Sequence, residues 1–315
     1  MQKIRAAVVG VGYLGRFHAQ KYAVSDSCEL VGVVDARAEA RERVAGELGT
    51  QAFADYRELI GRVDAVSVAT TTPAHFAIAK DFLSAGVHVL VEKPITETPA
   101  QARELIELAK AKRCVLQVGH LERFNPAILA AEPHLARPNF IECHRLAPFK
   151  ERGTDVNVVL DLMIHDIDIV QTIVGAPIAS IDAIGTKVFS DEIDIANARI
   201  RFENGCVANT TASRVSFKTE RKLRVFVDDA YLSIDLHQKI LTVIRKRTDA
   251  PPGQLPASIE EQNFEQGDAL KAEIESFLDC IRHGKAPIVG GEAGMRALET
   301  AMRITEQVQR GPQAR

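Results

Sequence analysis

The 315-residue chain reads as an α/β domain with a parallel sheet, followed by an α+β domain whose sheet is large, open and mostly antiparallel. Three observations predict this. In residues 1–120, short β-branched runs alternate with helical patterns, which is the rhythm of βαβ units. From residue 121 onward strand patterns follow one another with no helices between them, which implies hairpin-linked antiparallel strands. An apolar content of 46% is enough for a sizeable core in each domain.

In the first domain, expected over 1–120, the strands are IRAAVVG (4–10), ELVGVVD (29–35), AVSVAT (65–70), VHVLV (87–91) and CVLQVG (114–119). Each is almost continuously apolar, as strands covered on both faces are. Helical patterns fill 15–24, 38–48, 74–85 and 98–111. The last opens with Thr98, Pro99 and Gln101, which suit the N-cap, N1 and N3 positions of a capping box. In the second domain, expected over 121–315, an apolar helix at 155–174 precedes strand patterns near 178–188, 193–202, 206–214, 221–228, 231–236 and 239–245. TDAPPGQLPAS (248–258) reads as a loop. Two terminal helical patterns follow, the last of which (293–310) is expected to pack back on the first domain, and the tail GPQAR is expected to be disordered.

Composition excludes several function classes. Lysine plus arginine (39) nearly balance aspartate plus glutamate (42), so bulk charge points to neither nucleic acid nor an anionic membrane. The five cysteines show no paired spacing, which predicts a reducing, cytoplasmic setting without disulfides. No apolar run reaches the roughly 20 residues of a membrane span, and the start MQKIRAAVVGVG has no signal-peptide pattern.

Chemistry concentrates in three places. Gly10, Gly12 and Gly15 form GVGYLG where the first strand meets the first helix, and Asp35 ends the second strand 20 residues beyond Gly15. This is the Rossmann fingerprint: a tight turn, close backbone approach to a diphosphate, and a carboxylate for the ribose hydroxyls. Tyr13, Leu14, Ala36 and Arg37 flank these positions and join the candidate cofactor contacts. The carboxylate of Asp35 favours NAD over NADP, although Arg37 could pair with a 2′-phosphate. Secondly, Glu92, Lys93 and Pro94 follow VHVLV, which puts Lys93 at the carboxyl end of a parallel strand, the edge where open α/β sheets bind ligands. Thirdly, Asp161, His165 and Asp168 lie at i, i+4 and i+7 in the apolar helix VVLDLMIHDIDIV. The stripe suits a general base with its orienting partner or a buried structural network. Its spacing is poor for zinc, and no metal is expected.

GVGYLGRFHA, VVD, VEKP and DLMIHDID, in this order and at these intervals, resemble the Gfo/Idh/MocA family of NAD(P)-dependent sugar and cyclitol oxidoreductases over essentially the whole chain. The resemblance implies that Lys93, Asp161 and His165 are catalytic, with Asp161 and His165 also touching substrate, and that the Lys93–Pro94 bond is cis. It adds Thr70, Thr71, His75 and Glu92 to the cofactor contacts, although Pro73 is displaced from the family pattern. His18 is open between packing and ligand contact. GHLERFNPAI (119–128) and the stretch from His144 to Ile169 are most similar to the branch of the family that oxidises UDP-N-acetylglucosamine and related uronates, in lipid A or surface-polysaccharide aminosugar synthesis. On that reading His120, Arg123, Asn125, Arg145 and Arg152, with Lys150, hold a sugar nucleotide, its diphosphate bound by charge-assisted bonds. As ordinary surface cations they would leave an inositol or free sugar as substrate. A dinucleotide-binding sensor without turnover is the remaining alternative, and the intact trio argues against it. The antiparallel sheet implies a homodimer or homotetramer.

Overall fold

Six parallel strands carry the first set of candidate residues in the computed structural model, which describes residues 3–150, 156–249, 253, 255–264 and 267–311. They are β1 (Ile4–Val9), β2 (Cys28–Val34), β3 (Gln51–Phe53), β4 (Ala65–Val68), β5 (His88–Glu92) and β6 (Leu116–Gly119), in the order β3-β2-β1-β4-β5-β6. The connecting helices are α1 (Gly15–Ala23), α2 (Ala38–Leu48), α3 (Thr72–Ser84) and α4 (Pro99–Lys112). The strand order reverses between β1 and β4, and ligands bind beside the strand ends at such a switch point. Gly10, Asp35, Thr70 and Lys93 all lie at those ends. The capping box of α4 forms as its sequence predicts: Thr98 Oγ1 accepts from Gln101 N at 3.3 Å and Gln101 Oε1 accepts from Thr98 N at 3.2 Å.

The second sheet has eight strands: β7 (Phe140–Leu146), β8 (Ile178–Thr186), β9 (Ile195–Phe202), β10 (Val207–Ser213), β11 (Glu220–Phe226), β12 (Ala230–Asp235), β13 (Ile240–Lys246) and β14 (Ala257–Asn263). Their order is β14-β13-β12-β11-β7-β10-β9-β8, antiparallel throughout except for the β7–β10 pair. Neither β7 nor β14 belongs to the expected set. Short α5 (Pro126–Ala131) precedes β7. Between β7 and β8 the apolar helix begins as a π-turn over Val159–Met163 and continues as α6 (Ile164–Val174). Along β9, Ala196, Ala198, Ile200 and Phe202 are buried while Asn197, Arg199 and Arg201 face out, the alternation of a sheet covered on one side.

Two further helices, α7 (Ala269–His283) and α8 (Gly291–Arg310), end the described chain. The chain divides into two compact units, residues 1–121 with 268–298, and residues 122–267 with 299–315. The return to the first unit, expected of the last helix over 293–310, is made instead by α7 and the beginning of α8, while α8 from residue 299 onward belongs to the second unit. Ile274, Phe277 and Leu278 of α7 join Ala6, Val8, Tyr22 and Leu90 in one core. The expected loop over 248–258 lies partly outside the described residues, as does almost all of the tail.

Buried Asp194 ties together the turn from β8 to β9. It accepts from the amides of Val188, Phe189 and Ser190, from Ser190 Oγ, and from Arg214 Nε at 2.7 Å. Burial alone would raise its pKa, but Ser190, Arg214 and the Phe189 amide hold it well below the usual carboxylate range. Because the folded pKa is depressed, the contribution is full above the unfolded value of about 4 and is lost as pH falls through the folded one. We expect Asp194→Asn to cost about 3 kcal/mol at pH 7, and the gap in urea midpoint from wild type to narrow at pH 3.

Candidate active site

At the dinucleotide edge the three fingerprint glycines answer to different constraints. Gly10 has a φ of 87°, and a Cβ there would sit 2.7 Å from Ala69 O. A Cβ on Gly15 would lie 1.8 Å from Gly10 O. Both are therefore required by the fold. Gly12 would meet nothing nearer than Arg37 Nη2 at 3.7 Å, so packing within the chain does not require a glycine there. The space there is open to a group approaching from outside, at the positive end of α1.

Asp35 Oδ2 accepts from Val11 N at 3.0 Å, and its Oδ1 accepts from Arg37 N at 3.0 Å and Arg37 Nε at 3.3 Å. Desolvation pushes its pKa up, but the Arg37 and Val11 donors outweigh it and hold the carboxylate ionised. An anion fixed there suits ribose hydroxyls and repels a 2′-phosphate. Arg37 is 70% exposed, and its neighbour Ala36 is exposed too. Arg41, which the sequence reading passes over, donates to Asp35 O and Ala36 O and pins that turn. Tyr13 is 61% exposed with its ring edge-on to Phe17, while Leu14 is half-buried. These residues fit NAD: a cradle at Gly12, a helix terminus and an acceptor at Asp35.

Several residues expected at the cofactor turn out to hold the scaffold. Thr71 is exposed and Thr70 half-buried, but His75 is 1% exposed. Its Nδ1 faces Pro94 O at 2.9 Å and its Nε2 faces Thr70 O at 3.2 Å, so it staples two strand-end loops. Burial lowers its pKa despite these carbonyls. Glu92 likewise turns inward: Oε1 meets His18 Nε2 at 3.1 Å, and Oε2 accepts from Lys93 N at 3.2 Å. His18, buried and also bonded to Ser67 Oγ at 3.2 Å, is an internal partner. Across the β5–β6 pair Gly119 faces Glu92, and a Cβ on it would lie 2.7 Å from Oε1. Lys93 is half-buried, and the Lys93–Pro94 bond is cis.

In the second unit Asn157 caps the π-turn, its Oδ1 accepting from Val159 N and Leu160 N at 3.1 Å. Such turns within helices recur at functional sites. Asp161 and His165 are both half-buried. Asp168 departs from their stripe: it is buried, with Arg123 Nη1 3.6 Å away.

Among the described residues, two members of the expected diphosphate grip are committed within the fold. Arg145 is 3% exposed; its guanidinium donates to Asp166 Oδ1 at 2.7 Å and to Glu122 Oε1 at 2.9 Å. Burial opposes its charge, but these carboxylates raise its pKa and keep it cationic. Asn125 caps α5 through Ala127 N and donates to Glu122 Oε2 and Leu236 O. Arg123 bonds Thr172 Oγ1 at 2.6 Å, His120 is buried at the end of β6, and Arg152 lies outside the described residues. Lys150 is exposed. Arg145 and Asn125 are thus structural rather than substrate-facing.

The switch-point sheet with its glycine cradle and ribose acceptor defines a dinucleotide-dependent oxidoreductase. The chain belongs to the Gfo/Idh/MocA oxidoreductase family: residues 4–120 match its NAD-binding Rossmann fold and residues 148–314 its C-terminal alpha/beta domain. It is 40% identical to UDP-N-acetylglucosamine 3-dehydrogenase of Acidithiobacillus ferrooxidans over 98% of both chains. A solved structure of that enzyme superposes with a TM-score of 0.92 over 98% of this chain and 99% of that one. Scyllo-inositol 2-dehydrogenase (NAD(+)) of Bacillus subtilis is 27% identical over 98% of this chain and 95% of its own. Levoglucosan dehydrogenase with NADH and levoglucosan shares the fold, at 18% identity and a TM-score of 0.87, over 98% of each chain.

Two expectations follow. Gly12→Ala should leave the melting temperature within about 1 °C while weakening NAD⁺ binding in calorimetry, whereas Gly15→Ala should lower the melting temperature. Arg145→Met should leave Asp166 without its cation and Glu122 with Arg221 alone, and cost about 3 to 5 kcal/mol in urea unfolding, with KM of the folded fraction unchanged.

Proposed function

We propose that this protein is an NAD-dependent dehydrogenase that oxidises the 3-hydroxyl of UDP-N-acetylglucosamine to a ketone. The observation that carries the reading is 40% identity to an enzyme of that name along 98% of both chains. When bound, NAD⁺ accepts the hydride from the ring carbon. His165 takes the proton of the reacting hydroxyl and Asp161 orients it; Lys93 stabilises the negative charge that develops on the oxygen as the C–H bond breaks. One hydroxyl thus becomes one carbonyl, with a hydride leaving for the cofactor and a proton for His165. The family relationship supports a homo-oligomer built on the eight-stranded sheet. No helix is long and apolar enough to cross a membrane among the described residues.

A second reading, an inositol or free-sugar dehydrogenase, is favoured by one observation: Arg145 and Asn125 are committed within the fold and are not available to grip a diphosphate. Lys150 and Arg152 then remain as candidates for that task.

The test is absorbance at the NADH band after mixing the protein with NAD⁺ and UDP-N-acetylglucosamine, beside free N-acetylglucosamine, myo-inositol and NADP⁺. A rise confined to the nucleotide sugar with NAD⁺ is expected; turnover of inositol alone would replace the first reading with the second. Lys93→Met and His165→Asn should each lower kcat roughly 10² to 10⁴-fold with NAD⁺ affinity preserved.

A further inference from the structure

Three ionisable side chains meet in the interior of the first unit. His18 comes from α1, Glu92 from the end of β5 and Glu273 from α7. His18 and Glu273 are fully buried and Glu92 is 8% exposed, and one atom from each lies within 4.8 Å of the other two. One arrangement of protons satisfies the bonds around His18. Tyr22 O–H donates to Ser67 Oγ at 2.9 Å, Ser67 O–H donates to His18 Nδ1 at 3.2 Å, and His18 Nε2–H donates to Glu92 Oε1 at 3.1 Å. With Lys93 N–H on Oε2 at 3.2 Å, Glu92 is an ionised acceptor. Burial opposes that charge, but His18 and Lys93 outweigh it and lower the pKa.

Glu273 has no such support. Its backbone carbonyl accepts from Gln117 Nε2 at 3.1 Å, yet neither carboxyl oxygen finds a hydrogen-bond partner among the described residues. The groups facing it are His18 and Tyr22 from α1, Glu92 with Lys93 beyond it from β5, and Gln117 from β6. Two carboxylates this close in a region sealed from water do not both ionise. The one with donors keeps its charge and the other keeps its proton. Burial first, and then Glu92, push the Glu273 pKa well up.

We propose that Glu273 is a positioning residue that carries a proton at neutral pH and directs it toward Glu92 through one water. The pair then presents a single negative charge and a fixed carboxylate at the point where Lys93 leaves the strand. The proposal rests on the reading of Lys93 as a catalytic residue. An ionised Glu273 would repel Glu92 and loosen its bond to the Lys93 amide.

The test compares Glu273→Gln, which keeps a neutral donor, with Glu273→Leu, which removes it. The glutamine variant should keep kcat within about twofold, and the leucine variant should lose about tenfold in kcat with NAD⁺ affinity unchanged. Leucine at full kcat, or a glutamine variant as impaired as the leucine one, overturns the positioning role. A carboxyl with a raised folded pKa costs no stability below its unfolded value of about 4.3 and progressively more as pH rises above it. The melting temperature of the glutamine variant should therefore gain on wild type by about 3 °C or more between pH 5 and pH 8. A gap that does not change with pH overturns the proton assignment. So does stabilisation of wild type, but not the glutamine variant, by Zn²⁺ or Mn²⁺, which would make the trio a cation site. If Lys93→Met turns over normally, the reading of Lys93 fails, and the pH series still decides the proton.

Discussion

The chemistry of the first unit depends on satisfying one largely buried carboxylate. Glu92 ends a strand buried on both faces, and the backbone must then present Lys93 at the sheet edge. An unpaired charge there would be costly. His18 and the Lys93 amide supply its donors, and Gly119 supplies the space across the sheet. His75 anchors the carbonyl of Pro94 just beyond. The lysine is therefore placed from behind and from both sides.

The same problem has a different solution in the second unit. Arg145 sits between Asp166 and Glu122, and Arg221 reaches Glu122 at 3.3 Å, so two cations offset two anions. Asp194 is met by Arg214 and a row of amides. These clusters hold a strand, a helix and a turn together, with Arg221 at the solvent edge. In the first unit the surplus acid is offset by a proton instead, a choice that is sensitive to pH in a way that an arginine pair is not.

The parallel sheet was legible because each strand is a continuous apolar run and each turn carries its own chemistry, from GVGYLG to the Thr98 capping box. The cofactor edge followed from it, since the glycine spacing and Asp35 encode a local turn. β7 escaped because Arg145 occupies the inward position next after Ile141 and Cys143, which breaks the apolar alternation that marks a strand. For the same reason the sequence points to Arg145 as a diphosphate contact and not as a buried ion pair. β14 is an exposed strand at the sheet edge and has no buried face to mark it. β3 has only three residues. The Glu92–Glu273 pairing is invisible in sequence because its members lie far apart along the chain, and only the return of α7 to the first unit brings them together.

That return also sets an order of events during synthesis. The sheet of the first unit is complete in the chain by residue 119, but the core formed by Ala6, Val8, Tyr22 and Leu90 is closed by Ile274, Phe277 and Leu278. Nearly the whole second unit emerges from the ribosome before that closing helix does. Until then α1 and α2 cover that face only in part, and the place of Glu273 beside Glu92 is empty. The first segment made is thus among the last to be finished, and its folding must wait for contacts of long sequence separation.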